Sequence, residues 1–212
     1  MATTASPSLS TPERLLAAAE RIVVHEGVHA LTVRGIADAA GVNSALVRYH
    51  FGDVDGLLRD LALRNAARIA DARTGMLDAL ERERKAAFPA VVDALVVPLF
   101  ASAAMTPGFR AIVVLDEMFS RAAGSIHEQI WSLFAEGVDR VTRMLSACQP
   151  EVDAVALAWR IRFVTAAALD IPPRDDDRSP QGERRSAYGD DGDGERLEQF
   201  RCFARDALNL SR

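Results

Sequence analysis

The chain has 212 residues, 49% of them apolar, and a formal net charge of −5 at pH 7. That length accommodates one large or two small domains with a real core, and the composition excludes a disordered chain. The mild negative charge carries no footprint of a nucleic-acid binder, Cys148 and Cys202 make neither a disulfide framework nor a metal-ligand spacing, and no stretch approaches the roughly 18 uncharged apolar residues of a membrane span.

Residues 1–10 are small and polar, which reads as a disordered arm and not as a secretory signal. A cytoplasmic protein is the resulting expectation. A first helix starts with Thr11 as its cap and Pro12 at the first helical position, and Gly27 ends it. Thr32 caps a second helix that turns Val33, Ile36, Ala37 and Ala40 inward and stops at Gly41. Asn43 caps a short third helix through Phe51, and Gly52 closes it. Asp53 caps a fourth, running from Val54 to about Arg73. Helical spacing continues over 74–85, 89–104, 107–123, 125–148, 150–169 and 195–208, with no alternating run of useful length. Residues 171–194 are dense in Asp, Arg, Pro, Gly and Ser and read as a solvated loop. The acidic run before Glu195 lacks the ligand order of a calcium loop, so no metal site is assigned.

The segment from Thr32 to Ser44 consists of two short helices about a tight turn at Gly41, the one residue type that takes a left-handed conformation freely. Ile36, Ala40, Val42 and Val47 fix the angle between them. The third helix is then a ridge narrow enough for the DNA major groove, with Asn43, Ser44 and Ala45 at its tip and Arg48 and Tyr49 on its outer face.

Thr11 to Leu63 resembles the N-terminal domain of the tetracycline-repressor (TetR) family. The resemblance is carried by Thr32-Val33-Arg34-Gly35-Ile36-Ala37, Ala40-Gly41-Val42, Tyr49-His50-Phe51-Gly52 and Leu57, in register without a gap. It implies an all-α fold: a three-helix DNA-binding head (11–55) with a helix-turn-helix, followed by a larger helical bundle (56–212) for ligand binding and dimerisation. It further implies a homodimer on double-stranded operator DNA, released by a small-molecule effector. Arg34 matches a helix-start arginine that reaches a base or phosphate, and Asn43, Ser44, Ala45 and Leu46 match the base-contact region. Arg48 stands where the family has a phosphate-contacting tyrosine, Tyr49 fits a base or backbone contact, and His50 matches a further phosphate contact. Val54 departs from the family, replacing a lysine that grips a phosphate. Between Thr11 and Asp60 there are five arginines against seven carboxylates, so few counterions are released per head.

In the bundle, Phe100, Met105, Asp116, Phe119, His127 and Trp131 are candidate effector contacts, on the reasoning that a Met- and aromatic-rich bundle leaves a cavity between helices. Val155, Trp159 and Phe163 recur four apart, and Phe200 and Phe203 three apart, which makes them candidates for a four-helix dimer interface. No nucleophile elbow, phosphate loop or His-Glu-x-x-His appears, so no enzyme activity, catalytic residue or cofactor is assigned. The expected function is a ligand-responsive DNA-binding repressor. The alternative is a helical dimerisation or small-molecule-binding protein whose helix-turn-helix has lost DNA binding.

Overall fold

The computed structural model describes residues 9–83, 86–106, 108–119, 124–168 and 192–210. The arm up to residue 8 and the loop over 171–191 lie outside the described residues.

The order is α1 (Thr11–Glu26), α2 (Val33–Ala40), α3 (Ala45–Phe51), α4 (Val54–Arg82), α5 (Phe88–Val96), α6 (Ala111–Phe119), α7 (Gly124–Cys148), α8 (Ala154–Ala167) and α9 (Gly192–Leu208), with 3-10 turns at Val28–Ala30 and Val97–Phe100. Among the described residues there is no strand, only an isolated antiparallel bridge between Ser102 and Arg110. The chain is therefore all-α, as its periodicity implies. None of its described helices is long and apolar enough to cross a membrane.

Several boundaries differ from those read in the sequence. Ser10, not Thr11, caps α1. The Ser10 amide and hydroxyl both donate to Glu13 Oε2, at 2.8 and 2.7 Å, which is a capping-box arrangement. These donors hold the Glu13 carboxyl below its ordinary range. Residues 74–82 are not a separate helix but the last third of α4, whose 29 residues span about 43 Å. Its buried stripe runs unbroken through Leu58, Leu61, Ala62, Asn65, Ile69, Arg73 and Leu77, and Gly75, on the exposed face, does not end the helix. Conversely, residues 89–104 are not one helix. Pro98 tightens the end of α5 into a 3-10 turn, and the chain doubles back: the Ala103 amide donates to the Phe109 carbonyl at 2.7 Å and the Ala111 amide to Ala101 at 2.8 Å. α8 starts at Ala154, because Asp153 accepts from the Ala156 amide at 2.8 Å.

α4 is the spine. Its first turns pack on α1 and α3, and its remainder lies against α6 and α7, while α9 covers α5. The core is continuous from Leu15, Ile36 and Val47 in the head through Leu61 and Ile69 to Leu95, Leu115, Leu145 and Leu157. Ion pairs also fasten the bundle outside it. Arg140 of α7 donates to Asp78 and Glu81 of α4 at 2.7 to 3.0 Å, and Asp93 of α5 accepts from Arg201 and Arg205 of α9.

Candidate nucleic-acid interface

The α2–α3 turn is built residue by residue. Thr32 Oγ1 accepts from the Gly35 amide at 3.0 Å and starts α2. Gly41 sits at φ 64°, the Val42 amide donates to Ala37 at 3.0 Å, and the Gly41 amide donates to Asp38 at 3.1 Å. These bonds close a Schellman end. Arg14 of α1 completes it, donating from Nη2 to the Ala40 and Gly41 carbonyls at 2.7 and 3.2 Å. Nη2 of that cation serves the dipole of α2. In the sequence Arg14 is only one of the five arginines between Thr11 and Asp60; its role depends on α1 crossing the end of α2, which spacing does not reveal.

The Asn43 side-chain oxygen accepts from the Ala45 amide at 2.8 Å and opens α3. Its NH₂ group therefore faces outward as the part left for recognition. Ser44, Ala45, Arg48 and His50 are exposed, and Tyr49 is 80% exposed. Tyr49 and His50 meet edge to face at 4.9 Å. Leu46 differs from the rest of the candidate base-contact set: it is half-buried and packs against the core, because Leu46 and Val47 are the residues by which α3 is seated. Arg34 is exposed and loosely paired with Asp38 at 3.6 Å, a contact that solvent makes weak. Val33, Arg34, Asp38, Val42, Asn43 and Ser44 line an open groove of about 510 Å³ between α2 and α3. Val54 is half-buried against the core at the start of α4, where Asp53 accepts from the Gly56 amide at 2.7 Å. The Asp53 carboxylate is thus held at a helix N-terminus, where it is favoured.

Residues 15–61 match the family model of bacterial regulatory proteins, tetR family. The chain carries the N-terminal domain of the TetR family. The TetR-type head is the unit from α1 to the first turns of α4, and what it matches is the N-terminal domain of bacterial regulatory proteins. No curated protein matches the chain by sequence. The whole fold is similar to solved structures at low identity. The TetR family transcriptional regulator PfmR from Thermus thermophilus aligns with a TM-score of 0.63 at 13% identity, over 95% of this chain and 97% of that one. The fatty acid degradation regulator FadR from Bacillus halodurans aligns with a TM-score of 0.57 at 12% identity, over 96% and 99%. The multidrug binding protein EbrR, complexed with imidazole, aligns with a TM-score of 0.50 at 18% identity, over 96% and 97%.

In the bundle behind the TetR-type head, the candidate effector contacts do not form one group. Phe119 and His127 stack at 4.7 Å across the α6–α7 junction. Phe100 lies under the Arg110 guanidinium at 4.9 Å and beside Phe200 at 6.0 Å. Asp116 is half-buried on α6. Met105 belongs to the loop before α6, and its amide donates to Glu20 of α1 at 2.9 Å. Trp131 is 62% exposed, so its ring points away from the interior expected of it. Of the dimer candidates, Val155, Trp159, Phe163 and Phe203 are exposed, while Phe200 is 5% exposed. Phe200 is turned into its own subunit against Phe100. Sequence spacing also passes over Glu20 and Asn65, both fully buried. Their signal is a polar residue in the register of an apolar stripe.

Proposed function

We propose that the chain is a ligand-responsive repressor that binds a palindromic operator as a homodimer. The observation that carries the reading is α3, seated by Val47 and presenting Arg48, Tyr49 and His50 to solvent beside the free NH₂ group of Asn43. Donors to phosphate and base edges stand together on one ridge of groove width. Ser44 and Ala45 at its tip leave room for close approach, and Arg34 reaches the flanking backbone.

The dimer reading is supported by α8. Val155, Trp159 and Phe163 make a stripe on one side of that helix, and Trp159 and Phe163 are 53% and 63% exposed. Their rings stack at 5.9 Å. Large rings left in water at helical spacing fit a self-complementary contact, and Phe203 adds to it from α9. The effector reading rests on the bundle alone: an effector that binds the DNA-free arrangement better lifts repression by shifting the population. α4, which belongs to both the head and the bundle, is the element through which that shift acts. Such a protein works in the cytoplasm, where operator DNA is.

The rival reading, a helix-turn-helix without DNA binding, is favoured by the commitment of Arg14 to α2 and by Val54 in place of a lysine. Fluorescence anisotropy with DNA from the protein's own upstream region separates the two. Saturable binding that survives competitor DNA supports the repressor, and binding equal to that on random DNA supports the rival.

A further inference from the structure

Arg73 stands on the buried stripe of α4, four residues after Ile69 and four before Leu77, where the spacing calls for an apolar side chain. It is 3% exposed. Its stem crosses α7 at Gly137, where a Cβ would lie 2.9 Å from Arg73 Cδ, so the crossing requires a glycine. Nη2 donates to the Leu95 carbonyl in the last turn of α5 at 3.1 Å. Nε is enclosed and has no acceptor among the described residues. No carboxylate pairs with the guanidinium among the described residues. Burial alone acts on it and pushes its pKa down to about 10, which leaves it charged at neutral pH.

A cap on α5 accounts for one donor only. A buried cation without a counter-charge is destabilising, and an apolar side chain of similar volume fills such a site at lower cost. Nε and Nη2 share one edge of the guanidinium, the fork that receives the two oxygens of a carboxylate. We propose that Arg73 is an anion-binding residue of the bundle, and that the effector carries a carboxylate or an equivalent planar anionic group. This rests on the effector reading above. The position has a consequence for regulation: neutralising Arg73 changes the contacts of the same helix whose first turns hold α1 and α3.

The test is thermal unfolding of the 212-residue chain with octanoate, octan-1-ol and octylammonium, probes of equal length that differ in the charge of one end. Octanoate is expected to raise the Tm by about 5–10 °C at a hundredfold excess over its Kd, and the other two to raise it less or not at all. In Arg73→Met, which keeps a flexible stem over Gly137, the octanoate shift disappears while the ligand-free Tm holds or rises. Arg73→Lys keeps the charge, loses the fork and retains a smaller shift. Equal shifts from octanoate and octanol in wild type and Arg73→Met overturn the inference and leave the effector reading standing. No shift from any probe in the wild type overturns both. A ligand-free Tm lowered by several degrees in Arg73→Met, with the octanoate shift kept, assigns Arg73 to capping α5 and likewise overturns the inference.

Discussion

Asn65 of α4 donates from Nδ2 to Glu20 Oε1 of α1 at 2.8 Å, with both side chains fully buried. Each then holds the loop before α6: the Ala104 amide donates to Asn65 Oδ1 at 3.0 Å and the Met105 amide to Glu20 Oε2 at 2.9 Å. His25, further along α1, meets Phe109 of the same loop edge to face at 5.2 Å. Head, spine and loop are thus one hydrogen-bonded unit, and a displacement of the loop moves α1 or breaks a buried bond.

Asn65→Leu removes a donor from the fully buried Glu20 and the acceptor of the half-buried Ala104 amide. It is expected to lower stability by about 2–4 kcal/mol, the cost of two buried polar groups left unmatched. Urea unfolding followed by circular dichroism measures it. A change below about 1 kcal/mol would show that the unit is not tightly held.

Trp159→Glu places a charge in the exposed stripe of α8. Sedimentation velocity at micromolar concentration is expected to show monomer where the wild type shows dimer, with helical content unchanged because the ring is half in solvent. A variant that stays dimeric places the interface elsewhere. Removal of α9 is a poorer probe of the interface. It also takes away Phe200 and the two arginines that hold Asp93, so the bundle itself is expected to open.

Asp93 sets an acid limit. Its burial opposes ionisation, but hydrogen bonds and charge from Arg201 and Arg205 outweigh it and hold the carboxyl below its ordinary range. A folded-state value below the unfolded one contributes stability above the unfolded pKa of about 4, and that stability is lost as pH falls through the folded value. Asp93→Asn is expected to cost about 1–2 kcal/mol at pH 7 and to flatten the stability profile below about pH 4. A profile with the wild-type slope there would assign the acid limit to other carboxylates.

The head is legible in the sequence because its boundaries are local chemistry. Thr32, Gly41, Gly52 and Asp53 act within one turn of where they stand, and the structure places each where its residue type demands. The bundle is legible as helices but not as surfaces. Period 3.6 tells which face is apolar, not whether the same subunit covers it. Spacing therefore does not show that Phe200 turns against Phe100, a packing partner far away in sequence, nor that Trp131 stands 62% exposed. Asn65 and Arg73 are polar residues within an otherwise apolar stripe, a signal that spacing carries but that the apolar pattern masks. The break at Pro98 is also written in the chain, whereas the continuity of α4 through Thr74-Gly75 is not, because an exposed glycine weakens a helix without ending it.

Val54→Lys tests the missing phosphate grip. The stem packs where Val54 packs, and the ammonium reaches the backbone side of the head. Operator binding is expected to tighten, and the slope of log K against log salt to steepen by about 0.9 per monomer. An unchanged slope means that the start of α4 faces away from DNA.

The reading of α3 as the element that reads DNA is tested most directly by operator anisotropy of an Arg48→Ala/Tyr49→Ala double variant. Both side chains are exposed and α3 is seated by Val47, so folding and dimerisation are expected to match the wild type. Specific binding is expected to fall at least about thirtyfold, with two side chains at about 1–3 kcal/mol each. Wild-type affinity for the operator in a folded, dimeric double variant would contradict the assignment of α3.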